Sequence, residues 1–151
     1  MENTKSSTNP KDAIGSVKLP LHLWPTEATA MGCLGMLEGD LKYGLNNYVS
    51  GDGVIGSIYI DACRRHLDAW ESGEEVTDDT GTPHLGNALA TLAILVKAQA
   101  HGKLIDDRNY DPKGSYRKLI NKLTPHVARL KAMFKDHRPK RWTIADNEAA
   151  E

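Results

Sequence analysis

The stretch that most limits what this chain can fold into is Thr82–His101. Thr82-Pro83 is a good N-cap and first-turn pair, and it opens a helix over about 83–101. That helix is apolar nearly all round: Leu85, Ala88, Leu89, Leu92, Ala93, Ile94, Leu95 and Val96 leave almost no polar face. A helix of this kind must be walled in on most sides, as the buried helix of a bundle or of an oligomer interface. It is no membrane span, because Ala88–Val96, interrupted by Thr91, is far too short to cross a bilayer.

Other helices supply the walls. One begins near Pro25-Thr26 and runs to about Asn47, with Met31, Leu34, Glu38, Leu41 and Leu45 on a single stripe expected to face the core. Ser50–Gly53 is a turn, and a second helix covers about 55–72, with Gly73 as its C′ residue. An acidic loop, Glu74–Gly81, leads to the apolar helix. Asn9–Pro25, with prolines at 10, 20 and 25, reads as an ordered loop, since prolines at these intervals stop helices and central strands. Residues 1–8 read as disordered. After a linker, the row Leu119/Ile120, Leu123, Val127, Leu130 and Met133/Phe134 marks an amphipathic helix, restarted at Thr124-Pro125. The expectation is an all-α protein: a helical domain over 9–102, a linker over 103–114, and a basic amphipathic helical arm and tail over 115–151.

Charge sharpens that division. The chain has 19 Lys and Arg against 20 Asp and Glu, a net of −1, which argues against a nucleic-acid binder driven by bulk charge. Residues 1–112 nevertheless carry −7 and residues 113–142 carry +9. Cys33 and Cys63 lie in apolar stretches without metal-type spacing and are expected to be reduced and buried. The polar N-terminus lacks the apolar core of a signal peptide, so a cytoplasmic location is expected.

Glu38 is the sharpest anomaly, a carboxylate inside an apolar stripe. Burying it without a partner costs several kcal/mol or forces protonation. A divalent cation and an ion pair with Lys42 one turn on are equally good partners. If the first two helices form a hairpin turning near residue 51, Asp61, Arg64, Arg65 and His66 stand within about a turn of Glu38. Glu38 and Asp61 would then suffice for a Mg²⁺ completed by waters and phosphates, with Lys42 and Arg65 meeting phosphate oxygens. Against this, Asp61 and Arg65 also make an ordinary surface i,i+4 pair. His84, Asn87 and Thr91 form a polar stripe on the apolar helix, which hydrogen bonds inside the bundle would satisfy. His66 carries the same ambiguity, and Glu74, Glu75, Asp78 and Asp79 are either cation ligands or a solvated connector. There is no P-loop, dinucleotide-binding fingerprint, nucleophile elbow or nucleophilic cysteine pattern.

In order along the chain stand Asn9-Pro10-Lys11-Asp12, Lys18-Leu19-Pro20-Leu21, Glu38 with Lys42-Tyr43-Gly44, Asp61-Ala62 with Arg65-His66, Trp70, Gly73-Glu74 and Pro83-His84-Leu85. With these motifs the chain, over roughly residues 9–100, resembles the dATP/dGTP diphosphohydrolase N-terminal family, and within it the MazZ-type branch found in phages that make 2-aminoadenine DNA. That family is related to the MazG-like all-α pyrophosphohydrolases, which hold Mg²⁺ on an E-x-x-E helix and an E-x-x-D helix. The resemblance therefore implies a MazG-like, oligomeric helical bundle (a dimer or tetramer) in the cytoplasm of a host cell. It implies hydrolysis of a purine nucleoside triphosphate, dGTP or GTP by preference, to the monophosphate and pyrophosphate, with Mg²⁺ or Mn²⁺. Glu38 matches the second Glu of the first motif and Asp61 the Asp of the second, while Gly35 and Ile58 occupy the other two places. Glu74 or Asp79 is the candidate for a missing ligand. Glu38, Asp61 and Lys42 are the implied catalytic residues. Lys42, Lys18, Arg65 and His66 are candidates for the phosphates, Asn9, Asp12 and Trp24 for the base, and Lys11 and His84 are further substrate-binding candidates.

A non-enzymatic reading also fits the residues. In it the bundle is a scaffold and the basic arm grips nucleic acid or a partner protein, with salt-sensitive binding. A blander use of the arm, docking on the acidic body of a neighbouring subunit, suits its apolar face better.

Overall fold

The computed structural model describes residues 9–147; the N-terminal residues expected to be disordered and the last four of the tail lie outside the described residues. The chain divides into two units, one ending at Ile105 and one starting at Asp106.

The first unit is helical. It comprises α1 (Pro10–Ser16), a 3-10 turn (Leu21–Leu23), α2 (Thr26–Tyr43), α3 (Asn47–Ser50), β1 (Val54–Ile55), α4 (Gly56–Glu71), α5 (His84–Ala100) and β2 (Leu104–Ile105). The apolar α5 is the hub, and both α2 and α4 pack along it. The core lies around its C-terminal half, where the fully buried Ala98 meets Tyr48 and Val54, with Met36, Tyr59, Ile94, Leu95 and Leu104 packed around them.

Two crossings set the geometry. Gly35 of α2 is buried against Gly86 of α5, and a Cβ on Gly35 would lie 2.6 Å from the Gly86 carbonyl oxygen. A Cβ on Gly86 would in turn lie 2.6 Å from the Met31 carbonyl oxygen. The helices therefore touch backbone to backbone, as only glycine permits. At the far end, β1 and β2 pair in parallel, Val54 opposite Leu104 and Ile55 opposite Ile105, tying the entry of α4 to the exit of α5.

Several local expectations change. Pro10 starts α1 instead of preventing it, because the Asn9 side chain accepts from the Lys11 N–H (3.0 Å) and a proline needs no amide partner at a first turn. Helix α2 stops at Tyr43, where Gly44 turns to φ +91°, and Asn46 (φ +58°) then launches α3. The stripe expected to face the core does not: Leu34, Leu41 and Leu45 are exposed because α2 meets α5 through its glycine face. Cys33 is exposed too, whereas Cys63 is buried, its thiol pushed up by burial. Pro83, expected inside the first turn of α5, is its N-cap, and Thr82 is buried beside it. Leu104 and Ile105, expected in the linker, form the second strand.

In the second unit, α6 (Ser115–Met133) runs unbroken through Pro125 instead of restarting there. The proline lies on an exposed face, so the carbonyl it deprives of a partner meets water, and the Thr124 hydroxyl donates to the Ile120 carbonyl at 2.8 Å alongside. None of α6 is buried; its apolar row from Leu119 to Met133 is open to solvent. A short α7 (Ile144–Asn147) follows. Among the described residues, no helix is long and apolar enough to cross a membrane.

Candidate active site

Between α2 and α4, with α5 as its floor, lies a cleft of about 470 Å³. Leu37, Glu38, Lys42 and Tyr43 line it from α2, Tyr59, Ala62 and His66 from α4, Asn87, Thr91 and Ile94 from α5, and Asn46 and Tyr48 from the α2–α3 corner. It is an apolar hollow with a few converging polar groups, the usual form of a small-molecule site.

Glu38 is the centre of that polar group, its side chain only 14% exposed. It pairs with Lys42 and accepts from Asn87 Nδ2 at 3.2 Å. The Gly35–Gly86 crossing makes the second contact possible, since it brings Asn87 one residue further along α5 up to α2. Partial burial pushes the Glu38 carboxyl up, but hydrogen bonds from Lys42, Thr82 and Asn87 and the Lys42 charge outweigh it, bringing its pKa down to about 2. The carboxylate is thus held ionised and aimed. Lys42 is pushed up mainly by its hydrogen bond to Glu38.

A second carboxylate reaches the same ammonium. Asp79 Oδ2 lies 3.5 Å from Lys42 Nζ, and Asp79 is held below the usual carboxylate range mainly by the Thr77 hydroxyl. The acidic loop is therefore more than a solvated connector. It is laced by hydroxyl bonds, Thr77 to Thr80 at 2.9 Å and Thr80 to Thr82 at 3.0 Å, and by Thr77 N–H to the Thr82 carbonyl at 3.0 Å. Two anionic side chains from separate elements converge on one cation.

The histidines form a neighbouring cluster. His66 Nδ1 and His84 Nδ1 are 2.9 Å apart, and Glu74 Oε2 lies 3.6 Å from His84 Nε2. Burial and the nearby His84 push the His66 pKa down. Glu74 thus faces a histidine, not the Glu38 carboxylate. Of the polar stripe on α5, His84 reaches α4, Asn87 reaches α2, and the Thr91 hydroxyl bonds back to the Asn87 carbonyl at 2.8 Å.

Other expected site residues stand elsewhere. The hairpin placing Asp61 across from Glu38 is replaced by two helices flanking α5. Helix α4 turns Tyr59, Ala62 and His66 to the cleft and buries Cys63, so Asp61 and Arg65, a third of a turn away, are exposed and do not line it. Ile58, in the second motif, is exposed as well. Asn9, Lys11, Asp12, Lys18 and Trp24 do not line the cleft either. Asn9 caps α1, and the Trp24 indole N–H donates to the Thr29 hydroxyl at 2.9 Å, fastening the start of α2. Thr82, Asn46, Tyr48 and Tyr59 carry no site role in the sequence reading. Asn46-Asn47 reads there only as a helix stop, and the positive φ of Asn46, an ordinary conformation for asparagine, emerges only in the fold. Among the described residues, no three His, Cys, Asp or Glu side chains are grouped closely enough to hold a metal ion by themselves.

Three packed helices, α2, α4 and α5, with a fixed, ionised carboxylate at the mouth of a cleft define a small-molecule site on a mostly helical scaffold. Over residues 8–108 the chain matches the dATP/dGTP diphosphohydrolase, N-terminal, family, and it belongs to that family. No curated protein and no solved structure matches it.

Proposed function

We propose that this protein hydrolyses purine deoxynucleoside or nucleoside triphosphates, dGTP and GTP first, to the monophosphate and pyrophosphate with Mg²⁺ or Mn²⁺, in the nucleotide metabolism of a phage-infected cell. The observation that carries the reading is the convergence of Glu38 and Asp79 on one cationic nitrogen beside the cleft, in a chain of the diphosphohydrolase family.

The donor set fits a hard divalent ion. Mg²⁺ is typically held by one or two carboxylates, with waters and substrate phosphates completing the shell, and Lys42 already occupies the position of a cation between two such groups. Glu38 and Asp79 are the residues that would hold the ion. Such an ion lowers the pKa of a bound water and neutralises charge on the phosphates. Hydrogen bonds from Lys42, Thr82 and Asn87 hold Glu38 well below the usual carboxylate range. With the ion held there, Lys42 would be free to meet the polyphosphate as a mobile point charge. Tyr59, half-buried on the cleft wall, gives an aromatic face for a purine, the role expected of Trp24. The open apolar row of α6 supports a homo-oligomer, a dimer or tetramer.

A panel of the eight common NTPs and dNTPs with Mg²⁺ or Mn²⁺, its products resolved by chromatography, tests the reading. Monophosphate plus pyrophosphate from purine substrates is expected. Diphosphate plus phosphate, or no metal-dependent turnover of any nucleotide, would overturn it.

A further inference from the structure

We propose that Glu74, His84 and His66 form a relay that holds the neutral His66 ring with its proton on Nδ1, leaving Nε2 as the proton acceptor of the cleft. His66 is the only imidazole among the residues lining that cleft. His84 stands behind it at the start of α5, 7% exposed, and its Nε2 is fully buried with no hydrogen-bond partner. The charged group facing that nitrogen is Glu74, with Oε2 at 3.6 Å.

The tautomers follow by elimination. An ionised carboxylate only accepts, so the His84 nitrogen turned to Glu74 carries the hydrogen. A neutral imidazole has a single ring hydrogen, and in His84 the nitrogen turned to Glu74 holds it. His84 Nδ1 is therefore a lone pair. The 2.9 Å between the two Nδ1 atoms requires one hydrogen, and His66 supplies it. The Nε2 of a neutral His66 is then a lone pair as well. Charged and titratable groups act on His66 from every side: His84 on α5, Glu38 on α2, Asp79 in the loop and Arg65 on its own helix.

The step this permits rests on the hydrolytic reading above. A water oxygen bonds to the α-phosphorus and one of its protons passes to His66 Nε2. The bond from that phosphorus to the bridging oxygen breaks, and pyrophosphate leaves with the electron pair. Glu38 accepts from Asn87 at 3.2 Å and in that reading would hold the ion, so His66 is the free acceptor. His84 and Glu74 are positioning residues, acting through the His66 ring.

The test reads the tautomer directly, by long-range ¹H–¹⁵N spectra of the labelled, substrate-free protein at neutral pH. His66 is expected with a protonated Nδ1 and an unprotonated Nε2. In His84→Phe, which keeps a ring in place but removes the acceptor, the proton moves to Nε2 and kcat falls roughly 10- to 100-fold with KM little changed. His84→Asn, whose amide oxygen replaces Nδ1, restores both. A wild-type His66 protonated on Nε2, or an Nδ1–H tautomer that persists in His84→Phe, overturns the relay. Should His84→Phe not fold, Glu74→Ala serves, since that side chain is largely exposed; the relay predicts a mixed tautomer there, and an unchanged one overturns it. The Nδ1–H tautomer in a protein that hydrolyses no nucleotide supports the relay and refutes the hydrolytic reading.

Discussion

Gly35→Ala is a one-methyl change whose cost follows from the α2–α5 crossing. The added Cβ would sit 2.6 Å from the Gly86 carbonyl oxygen and 2.9 Å from Asn87 Oδ1. Ordinary contact begins near 3.4 Å, so the two helices must part by about 0.8 Å, and what blocks the methyl is backbone, which cannot rotate away. Overpacking of this kind costs about 1–3 kcal/mol, against a gain of about 0.5–1 kcal/mol from replacing glycine in a helix. The net expectation is a loss of about 1–2 kcal/mol. Gly39→Ala is the matched control: it lies on the same helix with nothing within 4 Å of its would-be Cβ, so it should stabilise by about 0.5–1 kcal/mol. Urea unfolding followed by circular dichroism measures both. Parting the helices also stretches the 3.2 Å bond from Asn87 to Glu38, so Gly35→Ala should lose turnover beyond its loss of stability. Equal stability in the two variants would refute the backbone-contact account of the crossing.

Glu38→Gln keeps the hydrogen-bonding shape but removes the charge, and should lower metal-dependent turnover by about 10²–10³ with helicity intact; near-wild-type kcat would remove Glu38 from the site. Asp79→Asn should cost at least about 10-fold more than Asp61→Asn, because only Asp79 reaches the Lys42 ammonium; the reverse order in side-by-side kinetics restores Asp61 as the second carboxylate. Glu38 also makes an acid-stability prediction. Its folded pKa of about 2 lies below its ordinary value of 4.5, so its contribution is complete above about pH 4.5 and fades as pH falls toward 2. After solvent screening this is on the order of 1–2 kcal/mol, seen as a shallower acid limb in Glu38→Gln when urea midpoints are plotted against pH. Leu123→Glu or Leu130→Glu on the open row of α6 should lower the oligomer mass by light scattering, and an unchanged mass would clear α6 of that role.

Much of the helical plan was legible because its signals are local. The all-round apolar 85–96 segment required a central helix, and α5 is that hub. Period and punctuation placed α2, α4 and α5 within a few residues of their ends, and Gly73 takes the positive φ its C′ position demands. Glu38 with Lys42, one turn apart on one helix, was equally local and stands at the mouth of the cleft. The two-residue strands were not legible, because Val54-Ile55 and Leu104-Ile105 pair only after α4 and α5 bring them together.

The site's second half was hidden for a stronger reason, and Gly35 supplies it. Read as a stripe, Met31, Leu34, Glu38, Leu41 and Leu45 made the leucine face of α2 its buried face, since apolar area usually decides which side of a helix turns inward. In this helix backbone contact decides instead. Gly32 and Gly35 let α2 lie flush on Leu89 and Gly86, the leucines roll outward, and Glu38 comes to the edge of the contact, where Asn87 meets it. The same crossing accounts for a glycine at position 35: a position with no room for a methyl has none for a carboxylate. The second carboxylate near Lys42 then comes from outside the helix. The Thr-laced loop before α5 brings Asp79 to Lys42, whereas α4 leaves Asp61 facing solvent.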